Sequence, residues 1–448
     1  MGGRGLEQCP PAEALAALEP SPADQPEHPL VPPEPLPQPH GEAVVLLASM
    51  RMSLTQAVLL LLAACGGSRS HLPAEGDAVI LQRVLDGKLA ALDGLAQVAQ
   101  AGAFPVLTSK GYLFATADDG NGPYQLTSPS GAFPAATLHG EAGLAWALVT
   151  VTSPASASYQ FATRSGATFF DPHSRFFKYD GAVETSLVAT QGSHLERFFG
   201  VGDANIAPRT LRVWVPAQPP THFLYAHDGQ NLFGAYPRGT GGWFLQDGAG
   251  PATLIVGIDN SKARFDEYTP VPDFIGGSTQ GGKGAAYADF VLQTVRPFIE
   301  ARYGKPKKTG VIGSSLGGVI SYFEELHSPG AWDFVASLSG TMGWGSIGPN
   351  VHNSTIIDQF RGLTACPTAT FYLDSGGGPG SGCIDTDGSG LLDDSPDAAD
   401  NYCENAQLLG VMQHLGCAVH YRWDPGAQHN EAAWRARAPG ALALFEAL

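Results

Sequence analysis

From Asp77 to about Gln100, apolar side chains recur at steps of three and four residues: Val79, Leu81, Val84, Leu85, Leu89, Leu92 and Leu95. That spacing predicts an amphipathic helical segment. After Pro105 the period shortens. The stretches YLFATA (112–117), LAWALVTV (144–151) and YQFAT (159–163) alternate or run apolar between Gly, Pro, Asn and Asp. They predict short strands of a small β-sandwich domain ending near Thr190, so that residues 77–190 form a helix plus sandwich unit.

Beyond Arg209 the texture changes again. Short apolar runs, LRVWVP, HFLYAHDG, TLIVGIDN, TGVIGSS, FVASLSG, TATFYLDSG and AVHYRW, alternate with longer helical stretches. One of these, Ala285 to Tyr303, aligns Tyr287, Phe290, Val291, Val295, Phe298 and Ile299 on one stripe, and Tyr402 to Leu415 is similar. Strands alternating with helices predict an α/β fold over residues 193–448, a mostly parallel sheet with helices on both faces. Catalytic groups should then lie on loops at the carboxyl ends of the strands.

The chain has 448 residues, 44% of them apolar, enough to bury a large core in about two domains. Its formal charge of −17 argues against nucleic acid as a partner, because phosphate binding needs clustered Lys and Arg. Residues 1–49 are Pro- and Glu-rich without an apolar period, which predicts disorder. Residues 50–65, MRMSLTQAVLLLLAAC, have the layout of a secretory signal, with Arg51 before an apolar run and small residues leading to Cys65. Leu62-Ala63-Ala64-Cys65 resembles a bacterial lipobox, which implies cleavage before Cys65 and lipidation of its thiol. A signal must be N-terminal to be read, so translation is expected to begin at Met50 or Met52, with residues 1–49 a misassigned start. The expectation is a periplasmic or cell-surface lipoprotein that meets the membrane only through its lipid anchor. Four cysteines remain, Cys366, Cys383, Cys403 and Cys417, an even number that suits two disulfides in any of three pairings.

Gly313-Ser314-Ser315-Leu316-Gly317 matches G-x-S-x-G. With 56 glycines in the chain the match alone is weak. Its setting strengthens it, because a strand precedes it and a helix follows, as a nucleophile elbow requires. Ser315 is the expected nucleophile. A hydroxyl needs an adjacent base, and among the later histidines His414 falls in a helix and His420 in a strand, whereas His429 follows a loop, Asp424 to Gln428. His429 is therefore the expected base. For the acid, Asp374 at the end of its strand comes first, with Asp397 and Asp400 as alternatives because an acidic insertion intervenes. The oxyanion hole is expected from the N–H of Leu316 and from Gly229 and Gln230 in the loop HDGQN. Trp243, Tyr268 and Trp344 are candidate walls of an acyl or sugar pocket, with core packing the other reading of each.

Taken together, HDGQNLF at 227–233, VGIDN at 256–260 with Arg264, EYTP at 267–270, GSSLGG at 313–318 and GAQHNEAAW at 426–434 resemble a known esterase family. It includes feruloyl esterases, enterobactin-type siderophore esterases, S-formylglutathione hydrolases and mycolyltransferases. The resemblance implies an α/β-hydrolase fold, ester hydrolysis through an acyl-enzyme and no required cofactor. It carries Ser315 and His429 over as nucleophile and base and places Gly229-Gln230 by the oxyanion hole. Residues 144–188 are more loosely similar to the immunoglobulin-like N-terminal domain of the siderophore-esterase branch. The insertion itself, with Asp385, Asp387, Ser389 and Asp393, resembles a calcium loop without its closing Glu, so a structural calcium and a solvated acidic loop stand as equal readings. The substrate expected is a small-molecule or glycan-linked ester. Acyl transfer by the same fold, or a non-catalytic lipoprotein that binds glycan or siderophore, are the alternatives.

Overall fold

The computed structural model describes residues 77–100, 104–108, 110–155, 157–235, 241–385, 388–392 and 399–448. The segments 1–49 and 50–65 with Cys65, together with Asp387, Asp393 and Asp397, lie outside the described residues.

Eight strands form the C-terminal part of a large sheet: β1 (His194–Val201), β2 (Arg209–Val215), β3 (His222–His227), β4 (Thr253–Ile258), β5 (Lys308–Ser314), β6 (Phe334–Leu338), β7 (Thr370–Ser375) and β8 (Val419–Trp423). Their spatial order is 1-2-4-3-5-6-7-8. Strand β2 pairs antiparallel with β1 and β4, and β3 to β8 are all parallel. This is the α/β arrangement expected. The seven apolar runs read from the sequence all appear as strands within it. Alternate residues feed two cores, one per face: Tyr225, Val311 and Val335 on one, Leu224, Ile312 and Phe334 on the other. Burial on both faces explains why these strands read as continuous apolar runs, and each such side chain contributes roughly 1.5–3 kcal/mol of transfer free energy.

Helices α1 (Gly284–Phe290) and α2 (Arg296–Tyr303) are joined by a π turn at Val291–Val295. The predicted single helix is thus interrupted where Pro297, lacking an N–H, cannot continue the ordinary ladder. Tyr287, Phe290, Val291, Val295 and Ile299 are fully buried along it. Helices α3 (Leu316–His327), α4 (Ile356–Arg361), α5 (Tyr402–His414) and α6 (Glu431–Glu446) complete the layers. The helical segment expected near the start is two helices, Asp77–Leu85 and Ala91–Gln100, broken at Gly87 with φ 67°.

The expected early strands form at Gly111–Ala117, Leu144–Val149 and Ser158–Ala162. The first two lie in a four-stranded antiparallel sheet, and the third belongs to the large sheet. One cluster built on Phe114, Leu126, Ala147, Tyr159 and Phe161 draws on both sheets. The ladder does not stop at the expected boundary: Leu195 and Glu196 of β1 pair with Phe177 and Phe176 of the preceding region.

Two disulfides are present. Cys366–Cys417 ties the approach to β7 to the approach to β8, and Cys383–Cys403 spans the acidic insertion to anchor α5. No helix among the described residues is long and apolar enough to cross a membrane.

Candidate active site

Strand β5 runs into α3 through Ser315, whose backbone is held at φ 54°, ψ −125°. For a residue with a Cβ this is a strained conformation. The turn is tight enough to demand glycine around it, since a Cβ on Gly313 would lie 2.3 Å from the Gly317 carbonyl oxygen. The Ser315 N–H donates to Leu338 O at 3.0 Å, which fixes the turn to β6. Its hydroxyl oxygen is buried and has no hydrogen-bond partner among the described residues. An unpartnered buried hydroxyl is costly, so the group stands available for a reacting partner. Leu316 opens α3, where the first N–H groups lack intrahelical acceptors and the helix end carries positive potential.

His429 lies on the loop between β8 and α6. Its Nδ1 is 2.7 Å from Asp400 Oδ1, which leaves Nε2 as the nitrogen able to accept a proton. The ring packs edge-on against Trp434 at 5.0 Å, one helical turn further on. Asp400 comes from the end of the insertion and, with Asn401, adopts a left-handed backbone, φ 61° and 54°. Its second oxygen accepts from Ser339 Oγ at 2.6 Å and from the Gly376 N–H. The elbow is linked to Asn401, the residue after Asp400, by a short chain of bonds: Thr341 N–H donates to Ser315 O at 3.3 Å, and Asn401 Nδ2 donates to Thr341 Oγ1 at 3.1 Å.

The carboxylate against the imidazole is therefore Asp400 and not Asp374, the first choice from sequence. Strand β7 turns Asp374 inward, where it is fully buried and accepts from Arg437 Nε at 3.1 Å, Tyr372 Oη at 3.0 Å and Ser339 N at 3.0 Å. Burial pushes its carboxyl up to about 6, against the pull of Arg437. Sequence reasoning did not single out Arg437, Ser339 or Trp434. Arginine in the amphipathic α6 reads as solvated, and nothing local betrays that its side chain is fully buried.

The loop HDGQN turns at Asp228, which is left-handed at φ 59°. Arg264 binds its carboxylate through two bonds of 2.8 and 2.9 Å, and Asn260 Nδ2 adds a third at 2.6 Å. Burial raises the Asp228 carboxyl and these donors outweigh it, so the group is held below the ordinary carboxylate range. A Cβ on Gly317 would lie 3.4 Å from Asp228 Oδ2, which brings this loop to the elbow. Gly229 is packed against β4, where a Cβ would come within 2.6 Å of the Gly257 carbonyl carbon, and Gln230 Oε1 accepts from Asn260 N. Close sheet packing accounts for the glycine.

The three aromatic candidates for a pocket wall all lie in the core. Tyr268 is fully buried, accepts the Asp228 N–H at 3.2 Å and packs on His227 and Tyr287. Trp344 donates to Val271 O, and Trp243 is buried against Trp434. A cavity of about 380 Å³ lies beside His429, lined by Gly377, Gly378, Ala399, Asp400, Ala427 and His429, among others; Ser315 is not among its lining residues. In the insertion, both Asp385 oxygens accept backbone N–H groups, from Gly388 and Gly390, while Ser389 Oγ accepts from Leu391 N. No group of three or more His, Cys, Asp or Glu placed to hold a metal ion occurs among the described residues.

Uncharacterized protein YbbA of Bacillus subtilis (strain 168) is 30% identical over 145 residues, 30% of this chain and 55% of that protein. The chain thus spans about half the length of this relative. Among solved structures, the siderophore hydrolase EstB from Aspergillus nidulans is similar with 17% identity, covering 56% of this chain and 95% of that one, at a TM-score of 0.41. The enterobactin esterase FES from Shigella flexneri is similar with 14% identity, covering 75% and 92%, at a TM-score of 0.42. A family model described as "Putative esterase" matches residues 207–445, more than half of the chain. The chain belongs to this esterase family.

Proposed function

We propose that the chain is a serine carboxylic ester hydrolase that works through an acyl-enzyme, with Ser315 as nucleophile, His429 as general base and acid, and Asp400 as the carboxylate that orients and stabilises the imidazolium. The observation that carries this reading is the elbow, a strained serine between β5 and α3 whose buried hydroxyl has no partner among the described residues. His429 Nε2 takes the Ser315 proton as the oxygen attacks the ester carbonyl. The developing oxyanion is met by the N–H of Leu316 and by the loop at Gly229 and Gln230, each such donor being worth roughly 3 kcal/mol of barrier. His429 then protonates the leaving alcohol. Water, activated by the same imidazole, releases the acid and restores Ser315. These steps use protein groups and water.

Asp400→Asn tests the assignment: kcat should fall on the order of 10⁴-fold while the fold is kept, because the amide favours the wrong imidazole tautomer. A variant with undiminished kcat would remove Asp400 from the mechanism.

The substrate proposed is a small-molecule ester entering beside His429. Export is supported by the two disulfides, which persist in oxidising compartments. Lipid anchoring at Cys65 is testable by mass spectrometry of the mature N-terminus, where an unmodified residue would exclude it. The four-stranded antiparallel sheet carrying Phe114, packed against the antiparallel end of the large sheet carrying Tyr159, supports reading residues 77–190 as a β-sandwich.

A further inference from the structure

Behind Asp400 lies a second carboxylate with its own cation. Arg437 is fully buried on α6, and its guanidinium stands between two acids, donating to Asp374 Oδ2 at 3.1 Å and facing Asp400 Oδ2 at 3.6 Å. Ser339 links the same pair: its N–H donates to Asp374 at 3.0 Å and its hydroxyl to Asp400 at 2.6 Å. Ser339 does so from a left-handed backbone, φ 49°, a conformation that persists only where the surroundings over-determine it. Arg437 Nη2 also reaches the Ser339 hydroxyl, and Trp434 Nε1 approaches it at 3.3 Å.

We propose that Arg437 and Asp374 are positioning residues that hold Asp400 against His429 and set the net charge felt by the imidazole. With Asp374 ionised, its charge and that of Arg437 cancel, and Asp400 is left with one negative charge for the imidazolium that forms during catalysis. Protonating Asp374 makes the cluster more positive by one unit and disfavours the imidazolium; removing the charge of Arg437 does the reverse. Low-dielectric surroundings make such charges act strongly over these distances. The groups that face Asp374 are Arg437 on α6, Asp400 before α5, Tyr372 on β7, Tyr322 on α3 and Tyr421 on β8. Those that face His429 are Asp400 directly and Arg437 through it.

This inference rests on the triad reading above. Its test is the pH dependence of kcat/KM for a p-nitrophenyl ester, whose acid limb reports the free enzyme's base. In Asp374→Asn, which keeps the shape and loses the charge, the midpoint of that limb should move to lower pH by about half a unit or more, with a lower kcat. In Arg437→Gln it should move the opposite way. Arg437→Lys, which keeps the charge without the planar fork, should leave the midpoint near the wild-type value. If Arg437→Gln does not fold, Asp374→Asn decides alone. A folded Asp374→Asn with an unmoved midpoint would overturn the inference, and so would one that cannot fold, since its carboxylate would then serve the fold. Full activity of Asp400→Asn would instead sink the triad reading.

Discussion

Ser315 pays for its exposure to a reacting group with backbone strain, of order 1–3 kcal/mol for a side chain held at such angles. Glycine adopts the same angles freely. Ser315→Gly should therefore be inactive yet more stable than Ser315→Ala by about 1 kcal/mol, as read from urea midpoints. Equal stability of the two variants would show that the turn is not strained. The tight turn at Ser315 and the loop position of His429 were both legible in the sequence because each has a local signature, a glycine-flanked strand-to-helix turn and a loop after the last strand. The carboxylate that meets the imidazole was not. Asp374 ends a strand as a triad acid should, but the insertion of residues 376–399 returns the chain to the site through Asp400, and only the fold shows which carboxylate meets the imidazole.

The elements that deliver the site are short and held by specific ties. Cys383–Cys403 closes the insertion three residues after Asp400 and pins the start of α5. Closing a loop of this size contributes about 3 kcal/mol in the chain-entropy account. Replacing both cysteines with Ser should lower stability by about that amount and lower kcat further than the loss of folded protein explains, because the acid loses its anchor. A variant with full activity per folded molecule would show that Asp400 is placed without the bridge. At the elbow, Gly313→Ala should cost about 1–3 kcal/mol or more, read by thermal unfolding, since the neighbour it would strike is backbone and cannot turn aside. The helices and strands of this region followed from periodicity, whereas the disulfide pairing and the π turn before Pro297 depend on contacts far apart in sequence.

Across the whole molecule, the junction between the N-terminal region and the C-terminal part of the large sheet is built from part-buried ion pairs. Glu196 on β1 binds Arg175 at 2.7 Å and His194 at 2.8 Å, and Glu184 binds both Arg197 and Arg212. Burial raises both carboxyls, yet the cations outweigh it and hold each near about 2, below the ordinary 4.5. A carboxyl depressed in the folded state stabilises above its unfolded value and loses that contribution as pH falls through the folded one. The contribution of these two carboxyls should therefore be full above about pH 4.5 and be lost toward pH 2, so the acid loss of stability should be less steep in Glu196→Gln. A urea midpoint independent of pH across that window would contradict the account. This continuity of sheet and charge was invisible in the sequence, which suggested two units meeting near residue 190, because strand pairing such as Leu195 with Phe177 leaves no local signature.

The most direct measurement is hydrolysis of p-nitrophenyl acetate by the purified protein and by Ser315→Ala, each also exposed to a fluorophosphonate probe. The account predicts turnover and covalent labelling at Ser315 in the wild type and neither in the variant. Wild-type hydrolysis that survives in Ser315→Ala, or labelling at another residue, would contradict it.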